Sequence, residues 1–118
     1  MTMETIDLVA FRAPERPDLC EEFLGEHRQV LADFGISQVP SNSTEWLADR
    51  DCIVIVALHA GLGMVGGIRL QRSHQGAELP IERSLMKMAP AITGEIAELR
   101  PFGVGEVCGL WNANRFGG

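Results

Sequence analysis

The chain has 118 residues, 46% of them apolar and 22% charged, with a formal net charge of −6. That length allows one domain around one core. The acidic balance disfavours broad attraction to nucleic acid or to an anionic membrane surface, while leaving room for a local basic pocket.

Ile6 to Phe11 reads as a first strand, ended by Pro14. Pro17 suits the first turn of a helix, with Asp18, Glu21 and Glu22 favourable near its positive end. Leu19, Phe23, His27, Val30, Leu31 and Phe34 recur at three- and four-residue steps, and Gly35 supplies the stop. Asp18, Glu21, Glu22 and Glu26 would form the solvated stripe of that helix.

Residues Ser37 to Asp51 are polar and turn-rich, with a short helical turn over Ser43 to Ala48. Cys52 to Leu58 is an unbroken, β-branched apolar run, the pattern of a strand covered on both faces. It is also the longest apolar run, too short to span a bilayer. His59 to Gly63 is a glycine-bearing turn, and Met64 to Leu70 a return strand, so the pair forms a hairpin. Gly66 and Gly67 inside that strand mark a bulge or a close backbone approach.

Ser73 to Leu79 reads as a loop. Pro80 opens a helix through Met88, Pro90 interrupts it, and Ala91 to Leu99 is helical again with Ile92, Ile96 and Leu99 on one face. Pro101 and Gly103 end that segment, and Val104 to Trp111 is the last strand. Strand, helix, hairpin, helical segment and strand in this order predict a mixed α/β (α+β) domain.

The three cysteines, Cys20, Cys52 and Cys108, lie far apart in apolar contexts and form no C-x-x-C pair. They read as buried free thiols in a reducing compartment. No basic patch followed by an apolar stretch opens the chain, so a cytoplasmic protein without a membrane span is expected. His27, His59 and His74 share no ligand spacing with each other or with the cysteines, so no metal is expected.

The final stretch, Glu106-Val107-Cys108-Gly109-Leu110-Trp111-Asn112-Ala113-Asn114-Arg115-Phe116-Gly117-Gly118, is an apolar strand running into a basic, glycine-ended turn. With Val56 to Leu70 as a hairpin around a glycine turn, it resembles the N-terminal half of the Gcn5-related N-acetyltransferase (GNAT) superfamily. Val56 to Leu70 is similar to that family's second and third strands, and Glu106 to Asn114 to its fourth. Arg115-Phe116-Gly117-Gly118 is similar to the opening of its Arg/Gln-x-x-Gly-x-Gly/Ala loop. The insertion bearing Leu79-Pro80-Ile81-Glu82 resembles the branch of acyl-homoserine-lactone and N-acyl amino acid synthases.

The resemblance implies a partial GNAT-like sheet, mostly antiparallel with helices packed on it, spanning residues 1–118 as one domain apparently truncated after the fourth strand. It implies transfer of an acyl group from acetyl-CoA, a longer acyl-CoA or acyl-carrier protein to a small-molecule amine. Leu110, Trp111 and Asn112 would contact the pantetheine arm through main-chain groups, and Arg115, Phe116, Gly117 and Gly118 would begin the phosphate cradle. Glu106 would be the general base, acting through water, if burial raises its proton affinity.

Each assignment has a plainer counterpart. Leu110 and Trp111 can simply fill a core, residues 115–118 can be a chain end, and Glu106 can be a solvated carboxylate. Arg69 reads as an exposed sheet-face arginine, and His59 as a turn residue. Met64, Met86 and Met88 either line an acyl groove or fill core. The alternative function is a non-catalytic binding or assembly module, possible as a homo-oligomer, that pairs with another chain through the open edge of the last strand.

Overall fold

The structure is a computed structural model that describes residues 5–36, 44–73, 78–85 and 88–114. It is a mixed α/β fold. Strands β1 (Ile6–Arg12), β2 (Cys52–His59), β3 (Gly63–Arg72) and β4 (Gly105–Asn112) form a four-stranded sheet in the order β1-β2-β3-β4. Every neighbouring pair is antiparallel. Helix α1 (Pro17–Asp33) joins β1 to β2, and α2 (Pro80–Leu85) and α3 (Ala91–Leu99) lie between β3 and β4. Short 3-10 turns at Ala13–Glu15, Glu45–Ala48 and Arg100–Phe102 complete the described elements.

Helix α1 begins at Pro17, whose fixed φ fits the first helical turn. It stops where Gly35 takes φ +74°, a left-handed conformation that suits glycine. Leu19, Cys20, Phe23, Leu24 and His27 are buried beneath it. The buried stripe therefore takes in Cys20 and Leu24 alongside the expected Leu19, Phe23 and His27. It runs out before Phe34, which lies past the helix end and is exposed.

This helix covers one face of the sheet. Phe11, Val54 and Val56 from the first two strands and Trp111 from the last meet it there, with Trp46 and Cys52 in the same core. Phe23 is the hub: its ring meets Trp46 at 5.8 Å, Trp111 at 5.6 Å and His27 at 6.0 Å between centroids, each edge-on. Such geometry puts positive ring edges against negative faces. Gly67 makes the approach possible, because a Cβ there would stand 2.6 Å from Phe23 Cε2. The paired glycines of β3 thus mark a close backbone approach.

Among the described residues the opposite face has no such cover. Leu8 and Leu110 are 73% and 74% exposed on it, and Val107 and Ile6 are exposed beside them. β2 accordingly alternates buried with half-buried residues. Two-sided cover of Cys52 to Leu58 is therefore corrected: Cys52, Val54 and Val56 are buried, whereas Ile53, Ile55 and Ala57 are only half-buried. The β-branched residues suit a pleated sheet whichever face is covered, so the apolar run specified a strand without specifying its second layer.

Arg69 also departs from expectation. It is 5% exposed, on the helix-covered face, with its guanidinium carbon 5.0 Å from the Trp46 ring centroid. A planar, weakly hydrated cation is suited to such stacking.

Helix α3 has the expected Ala91–Leu99 bounds, and α2 (Pro80–Leu85) falls within the helix expected from Pro80 to Met88, part of which lies outside the described residues. α2 ends at Leu85, where Leu85 O accepts from the Ala89 N–H at 2.7 Å, and α3 opens after Pro90. Glu82 is fully buried, and its Oε1 accepts the Leu79 N–H at 2.9 Å. The same oxygen pairs with Arg100 Nη2. Arg100 Nε donates to Ser73 Oγ at 2.7 Å, so one carboxylate ties α2 to the end of α3 and the end of β3.

Candidate functional site

The candidate site is the outer edge of β4, and its geometry follows from the ladder with β3. Ala113 N–H donates to Val65 O at 2.8 Å, and Trp111 pairs with Gly67. In an antiparallel ladder, alternate residues point both main-chain groups at the partner strand. The N–H and C=O of Trp111 and Ala113 therefore face β3, while those of Leu110 and Asn112 face away from it. Among the described residues no strand pairs with that side, since β4 ends the sheet order.

The ladder is interrupted lower down. Arg69 pairs with Gly109 but Leu70 with Val107, which leaves Cys108 as the extra residue of a β-bulge. A bulge bends its strand and sharpens the local twist. Gly109 lies under His27, whose Cε1 would stand 3.5 Å from a Cβ placed there. The bulge and the glycine together let β4 curve beneath α1.

Of the residues singled out in the sequence, Leu110 and Asn112 are exposed, with outward main-chain groups. Trp111 is turned the other way: its side chain is buried, stacked on His27 at 6.3 Å and 8°, and its main chain faces β3. Residues Arg115, Phe116, Gly117 and Gly118 lie outside the described residues, as do His74 and Met86.

Glu106 is half-buried near the start of β4, and its Oε1 accepts the Ile81 N–H at 2.9 Å. Ile81 stands in the first turn of α2, where backbone donors lack intrahelical partners. The carboxylate is thus held from across the loop. An ionised carboxylate has about four lone-pair positions, so one such bond leaves acceptor capacity.

Thiol chemistry is poorly served here. Burial pushes the thiols of Cys20 and Cys52 up to about 11, and raises that of Cys108 as well. All three are free, and Cys20 Sγ donates to Ala13 O at 3.3 Å. Thiols held protonated at neutral pH are weak nucleophiles. Cys108 is only half-buried, which corrects the expectation of three fully buried thiols. Among the described residues no group of three or more His, Cys, Asp and Glu side chains could hold a metal ion, and no helix is long and apolar enough to cross a membrane.

His59 Nδ1 accepts the N–H groups of Gly61 and Leu62 at 3.0 Å each, which is the work of a turn residue. Met64 is fully buried core and Met88 is exposed, so these two do not share a groove.

His27 resists protonation because it is buried, with the Arg69 cation adding to the effect. Its proton affinity is lowered in the folded state, so the unfolded chain binds more protons as pH falls below the ordinary histidine value of about 6.5. Stability contributed by neutral His27 is full above that pH and declines below it. The melting temperature should fall between pH 7 and pH 5, and His27→Phe, which keeps a ring against Trp111, should fall less steeply. Parallel slopes for the two proteins in a pH series of thermal melts would remove His27 as the cause.

The sequence reading missed Glu82 and Arg100 as a buried pair. A signal was present, since Glu82 is the third helical residue after Leu79, the position from which a carboxylate reaches back to the preceding N–H. Glu15 does the same for Arg12 N–H at 2.7 Å. Nothing in the local pattern announces that Arg100 closes on Glu82.

Comparison of the chain with protein-family models, curated proteins and solved structures finds no match.

Proposed function

We propose that this chain belongs to a cytoplasmic N-acyltransferase of the GNAT kind that takes its acyl group from acetyl-CoA, a longer acyl-CoA or acyl-carrier protein. The supporting observation is the unpaired edge of β4, where Leu110 and Asn112 turn their main-chain groups outward. A pantetheine arm carries two amides and is extended, so it can add to such an edge much as a peptide strand does. In the reaction, the amine nitrogen attacks the thioester carbonyl, the C–N bond forms, and the C–S bond breaks. The thiolate leaves and takes up a proton, while the amine proton passes through water to Glu106. A thioester is already activated, so orientation and proton removal account for most of what the protein must supply.

The test is a thermal-shift titration with acetyl-CoA and with a long-chain acyl-CoA. A ligand that binds the folded state alone raises the melting temperature with its concentration. Asn112→Pro removes one outward N–H from the edge without removing a bond to β3. It should weaken acyl-CoA binding by about tenfold, the equivalent of about 1.4 kcal/mol for one main-chain contact. Absence of any shift with either donor, or an Asn112→Pro protein that binds as well as the parent, would overturn the reading.

The same edge supports the second reading, a module that adds a strand from another chain. In that case Asn112→Pro abolishes association with the partner strand, and acyl-CoA leaves the melting temperature unchanged.

A further inference from the structure

We propose that Glu82 is a positioning residue for acyl transfer: with Arg100 it fixes the first turn of α2 so that the Ile81 N–H holds the Glu106 carboxylate. The inference rests on the reading of Glu106 as the general base.

α2 cannot place itself. It has six residues, and isolated helices shorter than about 12–15 residues are marginal in water. Its place comes from contacts outside the helix. The Arg83–Glu45 pair contributes little, because its charges stand 3.9 Å apart on exposed side chains. The buried contacts do more, and they centre on Leu79 and Glu82.

Glu82 belongs to a closed circuit. Its Oε1 accepts the Leu79 N–H at 2.9 Å, and Leu79 O accepts the Glu82 N–H at 3.0 Å, so the turn that carries Ile81 is fastened from both sides. The same Oε1 pairs with Arg100 Nη2, and Arg100 Nε donates to Ser73 Oγ. Ser73 N–H donates to Val104 O at 2.9 Å, two residues before Glu106. The circuit returns along β4, where Glu106 Oε1 accepts the Ile81 N–H at 2.9 Å. The base and the donor that holds it are thus fixed to one frame, with Glu82 as the link.

Stability is a weak reason for such a pair. Taking two charges out of water offsets much of their attraction, and apolar residues of similar volume often serve as well or better. What the pair supplies is a fixed geometry. With Oε1 held, the other Glu106 oxygen has a fixed direction too. That matters for a base, since a misplacement of about 1 Å can lower a rate about 10²-fold.

Variants of the full chain separate placement from stability. Glu82→Leu/Arg100→Met removes both charges and the acceptor for Leu79, leaving no buried ion, so it should melt close to the parent. Glu82→Gln keeps an oxygen for the Leu79 N–H and for Arg100. Free-thiol release is followed with acetyl-CoA or palmitoyl-CoA as donor and a mixture of the standard amino acids as acceptors. The double variant should lose about tenfold or more in kcat with KM for the acyl-CoA unchanged, whereas Glu82→Gln should stay within about threefold of the parent. Hydrogen exchange at the Ile81 amide should quicken about tenfold in the double variant and not in Glu82→Gln, while Phe23 and Val54 keep their protection. Ser73→Ala cuts the same circuit at a half-buried serine, and should lower kcat with KM unchanged even if the double variant fails to fold. The proposal fails, with Glu106 still the base, if the folded double variant keeps its kcat or its Ile81 exchange rate, or if Glu82→Gln loses as much as the double variant. It fails equally if Ser73→Ala leaves kcat unchanged when the double variant does not fold. A parent that releases no thiol with either donor overturns the acyltransferase reading itself, and this proposal with it.

Discussion

Gly67→Ala is expected to lower the melting temperature by about 5 °C, the largest effect of any single methyl group added to this sheet. The new Cβ would lie 2.6 Å from Phe23 Cε2, 2.8 Å from Cδ2 and 3.1 Å from Trp111 Nε1. A flexible side chain could swing away at little cost, but Phe23 is 1% exposed and edged by Trp46, His27 and Trp111. Its ring can move only if the others repack. Overpacking of this kind costs about 1–3 kcal/mol, and the restriction that alanine places on the unfolded chain returns about 0.5–1. Gly105→Ala is the control, because its nearest neighbour would be Gln71 O at an ordinary 3.7 Å. Phe23→Leu should rescue Gly67→Ala in part, since removal of the ring opens the space that the methyl needs. A double-mutant cycle with zero coupling would refute the contact as the cause.

The same aromatic packing explains what could be read from the sequence and what could not. Strand and helix boundaries follow from patterns spanning a few residues: Pro17 and Gly35 bracket α1, and the glycine turn at 61–63 bracketed the hairpin. Gly66 and Gly67 were recognisable as a place where backbone comes close to something. That the something is Phe23 depends on how α1 crosses the sheet, a relation between residues 44 apart that no local period encodes. Arg69 was misread for the same reason. On a strand, an arginine between apolar neighbours looks like a solvent-facing position, and only the arrival of Trp46 from a separate turn gives its guanidinium a buried place to stack.

The candidate site divides along a similar line. Glu106 and the run from Leu110 to Asn112 were identified by their position after a hairpin. Which main-chain groups face outward was decided by register, and register depends on the bulge at Cys108. Trp111 shows the consequence: it neighbours two residues with outward backbone groups, yet it belongs wholly to the core and to the β3 ladder. The two faces of the sheet obey the same logic. The apolar run of β2 is compatible with one covered face or with two, and the position of α1 alone supplies the first cover.

Arg100→Met should cost about 3–5 kcal/mol, because it strands the fully buried Glu82 carboxylate without its cation. Among the described residues Glu82 Oε2 has no hydrogen-bond partner, so the Leu79 N–H on Oε1 would be the one bond left to the buried carboxylate. Glu82→Gln should be milder. The amide has the same shape, carries no charge, and keeps an oxygen able to accept the Leu79 N–H. The informative protein is the double variant Glu82→Gln/Arg100→Met, in which neither charge remains. If desolvation of the two charges offsets most of their attraction, the double variant is more stable than Arg100→Met alone, and denaturant melts show strong coupling between the sites. Unfolding should then begin locally, with α2 released from Ser73 and the end of α3, while the aromatic core under α1 stays closed. Hydrogen exchange on Arg100→Met should therefore show early loss of protection at Ile81 and Glu82, before Phe23 and Val54. Simultaneous loss across both regions would mean that the buried pair holds up the whole domain and not one corner of it. The position of Glu106 adds a functional consequence, because its carboxylate is held by the Ile81 N–H and would be freed along with α2.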